Sequence, residues 1–329
     1  MYSIADYLWM IADESRVSAY AAAIRATVRP GDRVLEVGTG FGFFSAIAAR
    51  AGAARVDAVD TNPAVHLGPR LAEANGCADR VFFHQADVVD LTLAQRADVV
   101  ISDLRGPTPL AGRSLAALID VRQRLLREGG MMIPAEDTVF VAPSRVPSAV
   151  LRDVHAAYGR EGIAMGPVER VIEDTPYRCA IEATDLIAPG LPWARIDYRT
   201  IESADLDGAA EWTFGESGSI AGLAVWFDTQ LAPGVGLSSA PGGPTRVYRQ
   251  LYLPLSRGVP IAPGDRLRVT LSLRLVVNDY VWAWRVLGKD GNEERELVSQ
   301  NSLAETILDP TALRWSTRLA NPRAPAGDV

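Results

Sequence analysis

The chain has 329 residues, 48% of them hydrophobic and 22% charged, with 28 glycines and 21 prolines. At roughly 100–200 residues per domain this gives two domains, and it excludes a disordered chain. No run approaches the ~18 apolar residues of a membrane span, and the N-terminus carries Asp6 and Asp13 with no basic lead, so no secretory signal is expected. The net charge of −7 excludes binding driven by nucleic-acid phosphates in either half of the sequence.

Apolar residues Ile4, Tyr7, Leu8, Ile11, Val17, Tyr20 and Ile24 recur at helical spacing and predict one helix over 3–27, ended by Pro30-Gly31. Then come a strand at 33–37, a glycine turn, a helix at 43–51 stopped by Gly52, and a strand at 55–60. A helix at 63–75 has Asn62 as its N-cap and Pro63 at its first position. Strands at 80–84 and 97–102, a helix at 110–127 and a strand at 131–134 complete the first half. Strands alternating with helices predict an α/β, Rossmann-like domain whose parallel-rich sheet is covered on both faces. The alternation stops near Val141. After a helix at 148–159, short β-rich runs separated by Gly/Pro/Asp turns predict a mostly antiparallel sandwich or barrel. The expected domains are 1–145 and 146–318, with 319–329 as a frayed tail.

Two cysteines, Cys77 and Cys179, and three histidines support neither a disulfide framework nor a metal site, which points to a reducing, cytoplasmic setting. Thirty-two arginines against the single Lys289 read mainly as a coding bias.

The informative segment is Glu36-Val37-Gly38-Thr39-Gly40-Phe41-Gly42, where a strand turns into a helix. Glycines let a nucleotide cofactor approach the backbone, but several cofactor classes use such a turn. Three details narrow the choice. Glu36 stands two residues before the first glycine, the third glycine follows the second after one residue rather than two, and Asp60 ends the next strand. A carboxylate at Glu36 would repel the pyrophosphate of NAD, whereas the α-ammonium of S-adenosyl-L-methionine needs an acceptor. Asp60 would accept the ribose hydroxyls, and Asp87 with the backbone of Val88 would meet the adenine edge.

With this turn in place, the sequence resembles the class I methyltransferases and, more closely, the protein arginine methyltransferases. Met10-Ile11-Ala12-Asp13-Glu14-Ser15-Arg16 resembles that family's Met-Leu-x-Asp-x-x-Arg segment, and Ser102-Asp103-Leu104-Arg105-Gly106 resembles the start of its acceptor hairpin. Val225-Trp226-Phe227-Asp228, Ser238-Ser239-Ala240-Pro241 and Arg246-Val247-Tyr248 follow in the order of its barrel strands. The resemblance implies that Met10 packs on the cofactor and that Arg16 pairs with the cofactor's methionyl carboxylate. It implies S-adenosyl-L-homocysteine as product, and a homodimer formed through an arm near 148–185.

The departures bear on the acceptor. The family clamps a guanidinium between two glutamates of the hairpin. Here the first is Asp103, and the second falls on Gly112, beside Arg113. The usual Thr-His-Trp becomes Arg246-Val247-Tyr248, and a histidine ahead of Met10 becomes Tyr7. A like charge about 4 Å from a guanidinium costs roughly 4 kcal/mol at an effective dielectric near 20. The expected acceptor is therefore a nitrogen or oxygen of a small molecule, with Asp103 as catalytic residue. Tyr7, Arg105, Arg113, Arg246 and Tyr248 are the acceptor-binding candidates, the arginines toward a carboxylate or phosphate. Trp226, Trp282 and Trp284 read as core. The alternatives are an arginine guanidino N-methyltransferase, acting on protein or free arginine with a degenerate clamp, and a non-catalytic scaffold that retains cofactor binding.

Overall fold

The computed structural model describes residues 2–244, 247–291 and 293–303. The N-terminal helix expected over 3–27 is two helices, α1 (Ile4–Ile11) and α2 (Glu14–Thr27). Asp13 separates them: its carboxylate caps α2 by accepting the Arg16 N–H at 3.1 Å, and an N-cap residue takes non-helical dihedrals. Ser3 and Asp6 form a capping box that starts α1.

The α/β part then runs β1 (Arg33–Val37), α3 (Phe43–Arg50), β2 (Arg55–Asp60), α4 (Gly68–Ala74), β3 (Val81–Gln85), β4 (Ala97–Ser102), α5 (Ser114–Arg124) and β5 (Leu126–Ile133). Two expected helices are shorter. Pro63–Leu67 is a 3₁₀ turn, and α4 begins beyond it at Gly68-Pro69. Residues 110–113 form the approach to α5, where Gly112 has φ +53°. Gly129-Gly130, which fall between the expected helix and strand, lie inside β5, whose register against β4 shifts between Ala97 and Val99. The five strands are parallel in the order β3-β2-β1-β4-β5.

The β-rich part contains β6 (Glu136–Ser144), α6 (Ser148–Asp153), α7 (Gly166–Glu173), β7 (Tyr177–Cys179), β8 (Leu191–Asp197) and β9 (Leu206–Thr213). It continues with β10 (Gly218–Ala232), β11 (Val235–Ser238), β12 (Gln250–Ile261), β13 (Arg266–Val276), β14 (Asp279–Asp290) and β15 (Glu293–Asn301). One antiparallel sheet has the order β15-β14-β13-β9, and β10 pairs antiparallel with β11 and β12. The helix expected over 148–159 ends at Asp153, and the expected tail 319–329 lies outside the described residues.

The compact units are not two consecutive stretches. Unit one comprises Met1–Phe140, Ala194–Ala204 and Trp226–Gln250, and unit two the remainder. In unit one, Tyr20, Ile24 and Val28 pack with Phe44, Ala48 and Ala49 and with Val34, Val56, Val99 and Ile101 of the sheet. Leu231 and Ala232 of β10 join this core. Burying each such large aliphatic or aromatic side chain contributes about 1.5–3 kcal/mol. In unit two, Trp282 and Trp284 are buried core residues of β14, as expected; Trp226, in unit one, is buried and stacks on Phe140 at 5.7 Å. Cys77 and Cys179 are both buried.

Candidate active site

The site lies in unit one, at the carboxyl ends of β1, β2 and β4, where open α/β sheets bind ligands. Gly38, Gly40 and Gly42 all have positive φ, so each turn position needs glycine. A Cβ on Gly38 would meet Leu104 at 2.4 Å and one on Gly40 the Tyr7 ring at 2.6 Å. Gly42 is different: a Cβ there would strike Phe83 at 2.5 Å, so it serves helix packing in α3.

Glu36 is 3% exposed. Its Oε2 accepts from the Thr39 hydroxyl at 2.9 Å and from the Ser45 hydroxyl, which braces the turn from within. Burial pushes its pKa up to about 7 against the pull of those two donors. The Asp60 carboxylate accepts from the Gly40 N–H at 2.7 Å and the Asn62 N–H at 2.8 Å, and its pKa is raised by burial. A cavity of about 190 Å³ is lined by Gly38, Asp60, Asp87, Val88, Leu104 and Arg113. Arg113, expected beside the acceptor, stands instead in this cavity, 3.7 Å from Asp87.

Asp103, at the end of β4, is 9% exposed and crowded by donors. Oδ2 accepts from Arg16 Nε at 2.6 Å. Oδ1 accepts from the Tyr20 hydroxyl at 2.9 Å and the Tyr248 hydroxyl at 2.7 Å. A carboxylate has about four acceptor positions. Three are filled, which leaves one, on Oδ2. Arg16 also donates from Nη1 to the Met10 carbonyl at 3.1 Å, and its guanidinium lies over the Phe44 ring at 5.1 Å. Burial works against its charge, but Asp103 outweighs it and raises its pKa.

The other acceptor candidates divide. Tyr248 joins the site through its hydroxyl. Tyr7 lies over Gly40, packs edge-on to Phe41 at 5.7 Å, and has its pKa raised to about 12 by burial. Met10, expected on the cofactor, packs against the Phe227–Val247–Tyr248 cluster. Arg105 is not exposed to an acceptor: its side chain is 2% accessible and its guanidinium sits over the Phe227 ring at 5.1 Å. Arg246 lies outside the described residues.

Sequence reasoning missed Tyr20 and Asp137. Tyr20 fits the apolar face of α2, and nothing local reveals that its hydroxyl reaches Asp103. Asp137 did carry a signal, because alternation along β6 puts it on the same buried side as Val139 and Val141.

A family profile described as "Methyltransferase domain" matches residues 34–130. The chain is 29% identical over 245 residues to a probable protein arginine N-methyltransferase 6 of Arabidopsis thaliana, covering 70% of this chain and 55% of that protein. It is 28% identical over 285 residues to an arginine N(omega)-methyltransferase of Streptomyces achromogenes subsp. streptozoticus, covering 82% and 75%. Among solved structures it is similar to a Trypanosoma brucei PRMT1 enzyme-prozyme heterotetrameric complex with AdoHcy, at TM-score 0.78 and 21% identity, covering 90% and 97%. The chain spans little more than half of the Arabidopsis relative. The matched profile shows a methyltransferase domain over residues 34–130, whose parallel sheet and glycine turn have the fold of the class I S-adenosylmethionine-dependent methyltransferases. Within that class, the chain is protein arginine methyltransferase-like, with an antiparallel β part of the expected kind.

Proposed function

We propose that this enzyme methylates the guanidino group of arginine, free or in a peptide, using Asp103 as a single orienting carboxylate. The similarity to enzymes named for arginine methylation favours this acceptor over the small molecule without a guanidine expected from the departures alone. The observation that carries the reading is the open acceptor position on Asp103 Oδ2, beside three filled ones. The arginines that argued against a guanidinium weigh less here, because Arg105 is neutralised in the interior and Arg113 lines the cofactor cavity.

The residues present fit S-adenosyl-L-methionine, which supplies an electrophilic methyl on a sulfonium when bound. Gly38 and Gly40 give the backbone cradle. Glu36 would meet the α-ammonium, Asp60 the ribose hydroxyls, and Asp87 with the Val88 N–H the adenine edge. Arg16 keeps Nη2 for the carboxylate while Nε and Nη1 hold Asp103 and the Met10 carbonyl. Tyr7 closes over Gly40. Met10, through its carbonyl, sets the Arg16 fork.

Asp103 accepts one N–H of the acceptor. This orients the attacking nitrogen and gives its proton an acceptor as its lone pair is drawn into the new bond. As the carbon–nitrogen bond forms and the carbon–sulfur bond breaks, the attacking nitrogen sheds one proton along its hydrogen bond to Asp103. Tyr248 and Tyr20 hold the carboxylate plane through this step. The test is transfer of labelled methyl groups to free arginine and to arginine-containing peptides. Labelling of guanidino nitrogen by the wild type and its loss in Asp103→Asn support the reading, and labelling confined to other metabolites refutes it.

A further inference from the structure

Beneath Asp103 lies a second ion pair that the proposed chemistry does not use. Arg105 lies three residues after Ser102, the end of β4, and Asp137 is the second residue of β6. Arg105 Nη2 lies 3.1 Å from Asp137 Oδ1 and donates to the Thr229 hydroxyl at 3.1 Å. Arg105 Nε lies 3.9 Å from Asp103 Oδ1. The Asp137 side chain is fully buried, and its Oδ2 accepts from the Tyr198 hydroxyl at 2.6 Å. Arg105 thus faces both carboxylates.

The pair is imperfect as a structural element. Asp137 Oδ1 is out of line for a hydrogen bond despite its 3.1 Å separation from Arg105, and Arg105 Nη1 is buried with no partner. A buried pair with orphaned atoms contributes little stability compared with apolar residues of similar size. Its placement instead gives Asp103 a second guanidinium neighbour besides Arg16, on the opposite oxygen. Phe227 packs under the Arg105 guanidinium and edge-on to Tyr248 at 5.1 Å, so the same ring supports two of the groups around Asp103.

We infer that Arg105 and Asp137 form a positioning pair that fixes the Asp103 carboxylate and sets the charge an acceptor meets there. Asp137 anchors the Arg105 guanidinium, and Arg105 holds Oδ1 from below while the two tyrosine hydroxyls hold it from the side. The free position on Oδ2 is then aimed by four groups. The inference rests on the proposed role of Asp103 but not on the identity of the acceptor.

The experiment compares wild type, Arg105→Met/Asp137→Asn and Arg105→Lys, with calorimetry of S-adenosylhomocysteine beside steady-state kinetics. The double variant removes both charges together, so that neither is left buried alone. It is expected to bind S-adenosylhomocysteine within about twofold of wild type while kcat falls about tenfold or more, because small misplacements of an orienting group are costly. KM for a cationic acceptor stays near the wild-type value, since the double variant removes one charge of each sign. Arg105→Lys, which keeps the cation, recovers part of kcat. If the double variant keeps kcat within about twofold, or if kcat and cofactor affinity fall together, the pair is only structural and the inference is overturned. If the wild type labels no guanidino nitrogen, the acceptor reading fails separately, and the same kinetics are run on whichever fraction of a lysate takes up labelled methyl.

Discussion

Asp103 and Glu36 are the two carboxylates whose surroundings differ most, and each yields its own prediction. Asp103 is surrounded by donors and keeps one position open. Asp103→Asn is therefore expected to lower kcat/KM by about a hundredfold, with S-adenosylhomocysteine affinity nearly unchanged, as read by single-turnover kinetics and calorimetry. Glu36 is buried, and burial raises its pKa from 4.5 to about 7 against donors from Ser45 and Thr39. A carboxyl whose folded pKa exceeds its unfolded value contributes stability that is complete below pH 4.5 and is lost as pH rises through about 7. Denaturant melts between pH 4.5 and 8 should show a decline on the order of 3 kcal/mol from this group, and Glu36→Gln should remove that slope. Cofactor binding should run the opposite way. If Glu36 meets an ammonium, affinity rises with pH through about 7, and Glu36→Gln flattens the titration.

Elements explain what was legible and what was not. The strands at 33–37, 55–60 and 97–102 were readable because buried parallel strands are short apolar runs between turn signals. The break between α1 and α2 was not, because the apolar spacing continues across it and only the Asp13 cap interrupts the backbone. Asp13 also accepts the Val247 N–H at 3.0 Å, so it ties the start of α2 to the segment after β11. Asp13→Ala is expected to cost about 1–2 kcal/mol in chemical denaturation. The glycine turn with Glu36 and Asp60 beside it was legible because Gly38, Gly40, Glu36 and Asp60 lie near one another in sequence. The ring of donors on Asp103 was not, because Arg16, Tyr20 and Tyr248 come from distant segments. Arg105 was misread for the same reason, since its partner Asp137 lies on another element. Removing either partner alone leaves a buried charge, so Arg105→Met or Asp137→Asn singly is expected to destabilise by about 3–5 kcal/mol, and the double variant by less than the sum.

At the scale of the whole molecule, two proposals remain distinct. One is assembly. The segment 148–173 exposes Leu151, Ile163 and Val168, and we propose that it acts as the arm of a homodimer. Light scattering should give twice the protomer mass for the wild type and the protomer mass for Leu151→Asp/Ile163→Asp. The other is the reaction. Among the described residues no helix is long and apolar enough to cross a membrane, and no His/Cys/Asp/Glu cluster could hold a metal ion. In the proposed reaction the chemistry rests on cofactor and acceptor geometry around one carboxylate, Asp103. That claim is tested most directly by incubating the protein with methyl-labelled S-adenosyl-L-methionine and an equimolar mixture of free arginine and an arginine-glycine peptide, and locating the label by mass spectrometry. The account predicts label on guanidino nitrogen, reduced about a hundredfold in rate in Asp103→Asn. Label on any other atom, or equal labelling by Asp103→Asn, would contradict it.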